Sequence, residues 1–224
     1  MLIGDTLPSS KMIRHWESYM SDAMIEEVFG LINTNLNVVN SKTTKLDSIN
    51  SHVSMSNLIH NLANVLTRYK KYSEIGWFGR LFTNETIINA NIVLCQFEFK
   101  STMNKGVAIK KNIDRDITAL NEMIEECLHI KNVFQESYEK LEALMNDENT
   151  GEYEKNRISR KLNDVLSAMV LVENNIAQIK LVVSNIYAIN DKYESIDSIL
   201  RPALERNIKL SKGDHNLLLG TILK

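Results

Sequence analysis

Between Ile158 and Ile186 the chain places apolar residues at Ile158, Leu162, Val165, Met169, Val172, Ile176, Ile179, Val183 and Ile186. The intervals alternate four and three without a break. Only an α-helix gathers such intervals into one stripe. A mean interval of 3.5 holds that stripe against a partner helix while both supercoil left-handedly. The stripe is wider than a bare seam, because Leu166, Val170, Leu171, Leu181, Val182 and Ile189 lie beside it. A two-helix contact would leave those side chains in water, so a third helix is expected over them. After Ile186 two successive steps of three overwind the supercoil locally, and the rhythm resumes at Ile189, Tyr193, Ile196, Leu200 and Ala203. Pro202 lacks an N–H and crowds the preceding turn, so it is expected to limit or kink this helix, with a short helix continuing from Leu204 to Leu210.

The rest of the chain suits long helices. Its 224 residues include two prolines and eight glycines, too few to interrupt many turns. Pro8, Ser9 and Ser10 form a start signal, followed by a face of Ile13, Trp16, Met20, Met24, Val28, Leu31 and Ile32. Residues 33–45 are polar, and read as either an interruption or a solvated part of the same helix. A further helix carries Leu46, Ile49, Val53, Met55, Leu58, Ile59, Leu62, Val65, Leu66 and Tyr69 and ends near Ser73. Residues 84–146 read as one long helix. Its stripe is Ile88, Ile92, Cys95, Phe99 and Met103, then Ile113, Ile117, Leu120, Ile124 and Cys127, then Phe134, Tyr138, Leu141 and Met145, with Gly106 and Lys110–Lys111 weakening it. Residues 147–156 are polar, contain Gly151 and read as a hairpin tip. The expected fold is all-α: an elongated helical bundle with a long antiparallel coiled-coil hairpin. The expected division is N-terminal helices and a Gly/aromatic corner over 1–83, the hairpin over 84–210, and a C-terminal tail over 211–224.

Charge and composition narrow the function classes. A formal net charge of -2 argues against general attraction to nucleic acid or anionic membrane. Cys95 and Cys127 fall on one helix, ~48 Å apart by helix rise, so they cannot bridge each other within it. Buried, reduced thiols fit a cytoplasmic protein. No signal peptide is read at the N-terminus, and no run of 18 apolar residues predicts a membrane span. His52 and His60 share a helical face but stand two turns apart, too far for one zinc ion. HExxH, CxxC and P-loop motifs are absent. The carboxylates Asp114, Asp116, Glu122, Glu125 and Glu126 lie among Lys110, Lys111, Arg115 and Lys131, the pattern of a solvated face. Acid–base chemistry needs a pocket that shifts a pKa, and a thin bundle rarely encloses one. The expectation is a non-enzyme without metal or cofactor.

Two stretches are candidate binding elements. Gly76-Trp77-Phe78-Gly79-Arg80-Leu81-Phe82 brackets two large aromatics with glycines. Trp77, Phe78, Arg80 and Phe82 either pack a corner between helices or form a wedge that docks a partner. Arg68-Tyr69-Lys70-Lys71-Tyr72 is the densest basic patch. Arg68, Lys70 and Lys71 could touch phosphates while tyrosines stack on bases, or the patch is a charged surface beside a buried aromatic. Arg157, Arg160 and Lys161 make a second basic cluster.

At Gly76–Phe82, and again at Lys110-Lys-Asn-Ile-Asp-Arg-Asp-Ile-Thr-Ala-Leu-Asn-Glu-Met-Ile-Glu-Glu, the chain resembles the TelA/KlaA-type toxic-anion (tellurite) resistance proteins. The similarity covers roughly residues 46–200. It implies a long-helical, cytoplasmic, stress-response protein that binds protein partners, membrane-associated resistance components included, and it carries no catalytic residues over. Self-association is the other way to cover a wide apolar stripe. The alternative function is a membrane-active α-helical pore-forming toxin component, suggested by the apolar stretch from Val165 to Ile189. Glu173 and Lys180 interrupt that stretch, which suits packing against protein better than against lipid.

Overall fold

The computed structural model describes residues 10–46, 48–75, 84–205, 217, 218 and 220, with side chains from Ala23 onward at one end and up to Ala203 near the other. Four helices account for nearly all of them: α1 (Ser10–Leu46), α2 (Ser51–Ser73), α3 (Glu85–Met145) and α4 (Glu152–Glu205). No strand occurs among the described residues. The fold is an all-α helical bundle. Its contacts gather into two compact units. The first takes Met1–Leu46 and Glu122–Ile179, and the second takes Asp47–Asn121 and Lys180–Lys224. Each unit is therefore built from one N-terminal helix, a segment of α3 and a segment of α4.

In the first unit α1 runs unbroken to Leu46, so the polar stretch over 33–45 is helix. Its serines and threonines turn their hydroxyls back on the helix: Ser41 donates to the Val38 carbonyl at 2.8 Å and Thr43 to the Val39 carbonyl at 3.0 Å. The buried face of α1 is Ile25, Val28, Ile32 and Val39. Leu31, expected on that face, is exposed, because the face advances by three or four residues and Leu31 falls one residue short of Ile32. Opposite α1 lie Cys127, Ile130, Phe134 and Leu141 of α3 and Ile158, Leu162, Val165, Val172, Ile176 and Ile179 of α4, all buried. Lys42 pairs with Glu126 at 2.6 Å and Lys131 pairs with Glu173 at 2.7 Å. The turn over 146–151 joins α3 to α4, and these pairs tie α3 to α1 and to α4. The turn closes itself: Asn149 N–H donates to Asp147 Oδ1 at 3.0 Å, and Thr150 Oγ1 donates to the Leu144 carbonyl at 2.7 Å, satisfying an acceptor the helix end leaves open.

The second unit repeats that order with α2 in place of α1. Asn84 caps α3, its Oδ1 accepting the Thr86 N–H at 2.9 Å, and Glu85 in the first turn complements the helix dipole. Met55, Leu58, Ile59, Leu62, Val65, Leu66 and Tyr69 of α2 are buried, as are Ile88, Ile92, Cys95, Phe99 and Met103 of α3 and Ile186, Tyr193, Ile196 and Leu200 of α4. Tyr69 and Phe99 meet at a centroid distance of 6.0 Å and a tilt of 57°. The α4 seam thus stays buried beyond the overwound step at Ile186–Ile189. Pro202 is exposed inside α4, and the helix passes it to reach Glu205. Proline there lacks the N–H that would bond the Ser198 carbonyl, and the helix continues despite that loss. Residues 206–210, where a further helix was expected, lie outside the described residues, as does most of the tail.

The third-helix expectation holds only in part. Both units have their third helix, yet Leu166, Val170 and Leu171 in the first and Leu181 in the second remain exposed. The helices cover the seam and leave its flank to solvent.

Gly106 has a structural use that the sequence alone does not show. It is buried, and a Cβ built on it would lie 2.2 Å from Tyr193 Oη and 2.4 Å from its Cζ. Tyr193 fills that notch and donates from Oη to the Met103 carbonyl at 3.1 Å. Burial among helices also pushes its hydroxyl pKa up. Gly106→Ala should destabilise the protein by roughly 1–3 kcal/mol despite alanine's better helix propensity, because Tyr193 must shift. In a Tyr193→Ala background the same change should become neutral or stabilising by up to about 1 kcal/mol. Urea midpoints of the four proteins in this cycle check it.

Candidate functional site

Trp77, Phe78, Arg80 and Phe82 lie outside the described residues. The basic patch is dispersed over the surface of α2. Arg68 donates from Nη1 to Glu98 Oε1 at 3.3 Å and from Nη2 to Glu98 Oε2, a bidentate pair that raises its pKa further. Lys70 is half-buried and Lys71 exposed. Tyr69 belongs to the core against Phe99, so it offers no face for a base to stack on. In the second cluster Lys161 sits 4.0 Å above the Phe29 ring and 3.3 Å from Asp164. In each cluster one cation, Arg68 in the first and Lys161 in the second, is thus engaged with neighbouring side chains.

Chemistry-bearing groups are scattered. Among the described residues no cluster of three or more His, Cys, Asp or Glu side chains could hold a metal ion. Cys95 and Cys127 are buried and unbridged, and burial pushes both thiols up, away from the reactive thiolate. Two open grooves are notable. One of about 470 Å³ lies between α2 and α3 and is walled by Asn61, Asn64, Arg68, Glu98, Thr102 and Lys105. The other, of about 590 Å³, lies between α1 and α3 beside Asn35, Lys42, Glu126 and His129. Neither brings a nucleophile and a perturbed acid or base together.

The outstanding surface feature lies on α3, on the side away from the second unit's core. Ile87 is 55% exposed, Val93 62%, Leu94 50% and Phe97 70%, with Ala90 exposed among them. Ile87, Ala90, Leu94 and Phe97 follow steps of three, four and three, so they form a stripe of their own. The core stripe Ile88, Ile92, Cys95 and Phe99 is buried on the opposite side of the same turns. Large apolar side chains clustered at such exposure mark interaction surfaces. Sequence reading traced the core stripe and missed this one. The usable signal was the absence of any charged residue from 86 to 97. A helix apolar on both sides expects two partners.

In α4, an 18-residue window is apolar enough and long enough to cross a bilayer, with 33% of that window buried. The lack of an unbroken apolar run had argued against this, but Glu173 and Lys180 alone do not lower the average enough. Core helices of soluble proteins pass the same test.

Comparison with protein-family models, curated proteins and solved structures finds no match for the chain.

One surface pair has a defined pH dependence. Lys110 and the amide of Asn190 both donate to Glu194, and hold its carboxyl below the usual range, while Glu194 holds the Lys110 ammonium above its own. A depressed carboxyl contributes stability above its unfolded pKa and loses it as pH falls through the lower folded value. Both side chains are close to half exposed, so screening keeps the contribution small. Glu194→Gln should cost less than about 1 kcal/mol at neutral pH. The difference from wild type should disappear as pH falls below the carboxylate range. Urea titrations at neutral pH and at about pH 2.5 read both arms.

Proposed function

We propose that this protein is a non-enzymatic helical scaffold that docks a partner helix on the exposed stripe of α3. The observation that carries this reading is the row Ile87, Ala90, Leu94 and Phe97, together with Val93, standing in solvent at coiled-coil spacing. A partner that lays an apolar helical face along it gains knobs-into-holes packing without any change in the bundle beneath. The resemblance at Gly76–Phe82 and Lys110–Glu126 supplies a setting: a cytoplasmic response to toxic anions such as tellurite, with membrane-associated components among the partners. A photo-crosslinking residue at position 97 should give a discrete protein adduct in cells, and one at exposed Lys140 should not. Equal adduct patterns from the two positions would remove the docking reading. Loss of the protein should sensitise its host to tellurite, and Leu94→Glu should reproduce that loss. Unchanged tolerance would remove the setting and leave docking intact.

A second reading draws on α4. Its bilayer-length apolar window, with Leu166, Val170 and Leu171 exposed on it, suits a membrane-active α-helical toxin component. The purified protein should release no dye from anionic or neutral vesicles if scaffolding is its role. Leakage that grows with protein concentration would favour the membrane.

A further inference from the structure

We infer that the helix docked on this stripe is the same stripe of a second copy, so that two chains pair through antiparallel α3 segments about a two-fold axis. The inference deepens the docking reading above and rests on it.

The spacing is its own mirror image. Steps of three, four and three read alike in both directions, so an antiparallel copy centred near Ile92 sets every member of the stripe opposite another member. That register puts Ile87 opposite the partner's Phe97 and Ala90 opposite the partner's Leu94. The two Val93 side chains meet beside the axis. Large faces small in the inner layers, as close helix packing requires. A contact in which the same patch serves both copies is the isologous kind that closes at two.

The extent of the stripe fits this register. Beyond Phe97 the same face continues as Ser101, Asn104 and Ala108, which are polar or small. Position 101 is where an antiparallel partner runs out, since residue 83 of that partner would lie opposite and α3 begins at Glu85. The apolar stretch is thus as long as the overlap available to it.

The four large side chains expose roughly 450 Å² per copy, so a facing pair that covered them fully would bury roughly 900 Å², the size of a weak, transient interface. The expected association is reversible.

Light scattering of the purified full chain tests the inference. At ~100 μM the wild type should have twice the chain mass and should fall toward the monomer on dilution, as an interface of that size requires. Leu94→Glu should weaken association at least ~10-fold, with helix content unchanged by circular dichroism, because the position is exposed. Phe97→Ala should weaken it in the same direction. Val93→Cys should form an intermolecular disulfide under mild oxidation, and Lys140→Cys should not. The buried Cys95 and Cys127 can stay in place. A wild type that remains monomeric at ~100 μM overturns the inference, as does a dimer indifferent to Leu94→Glu, which would pair through another face. The adduct at position 97 then separates the two failures. An adduct to a different protein keeps the docking reading and removes the second copy, whereas no adduct removes both.

Discussion

The fold depends on one apolar seam along α4. In the first unit Ile158, Leu162, Val165, Val172, Ile176 and Ile179 are buried from that seam, and in the second Ile186, Tyr193, Ile196 and Leu200. Each unit closes a three-helix core on its share of it. Burial supplies most of the stabilisation. Both units also draw on α3, and each closes on a stretch of the α4 seam. The seam's spacing of 3.5 rather than 3.6 lets one stripe stay inward over so many turns.

This explains why the architecture was legible from the residues and where legibility stopped. Helix ends followed from local chemistry: Asn84 before α3, Gly151 before α4 and the polar turn between them. The burial of the α4 seam followed from periodicity. What periodicity cannot supply is the width of the covering. Leu166, Val170 and Leu171 look like core in the sequence and are exposed, because a partner helix covers an arc fixed by its own side chains and not by the apolar width it meets. Gly106 was misjudged for a related reason. By propensity it is a weak point in a long helix, and in the fold it is the notch that admits Tyr193.

The exposed stripe was less legible than the fold. The basic run Arg68 to Tyr72 drew attention because charge and aromaticity are easy to see in a sequence. Three dimensions divide it: Tyr69 turns inward to Phe99, and Arg68 turns across to Glu98 thirty residues away in the chain. No local rule foretells a partner at that separation. The stripe Ile87 to Phe97 was hidden for the opposite reason. It lies on the other side of the same turns as the core stripe, and both obey helical spacing, so either could have been the inward one.

What decides between them is packing on the far side of the helix. If α3 were turned by half a revolution, Ile87, Leu94 and Phe97 would enter the core, and Cys95 and Phe99 would leave it. The apolar area buried would change little. Gly106, however, would leave the helix side that meets Tyr193, and Val107 or Ala108 would come nearer to it. The phenol could then neither reach the Met103 carbonyl nor find an absent Cβ to fill. Tyr69 would also lose its ring contact with Phe99. A glycine at one position and an aromatic at another thus fix the rotation of α3, and the rotation leaves the second stripe in water. Its exposure is enforced by the core beneath it, and is not a by-product of loose packing. An apolar row held outward in this way stays available to a partner at no cost to the bundle.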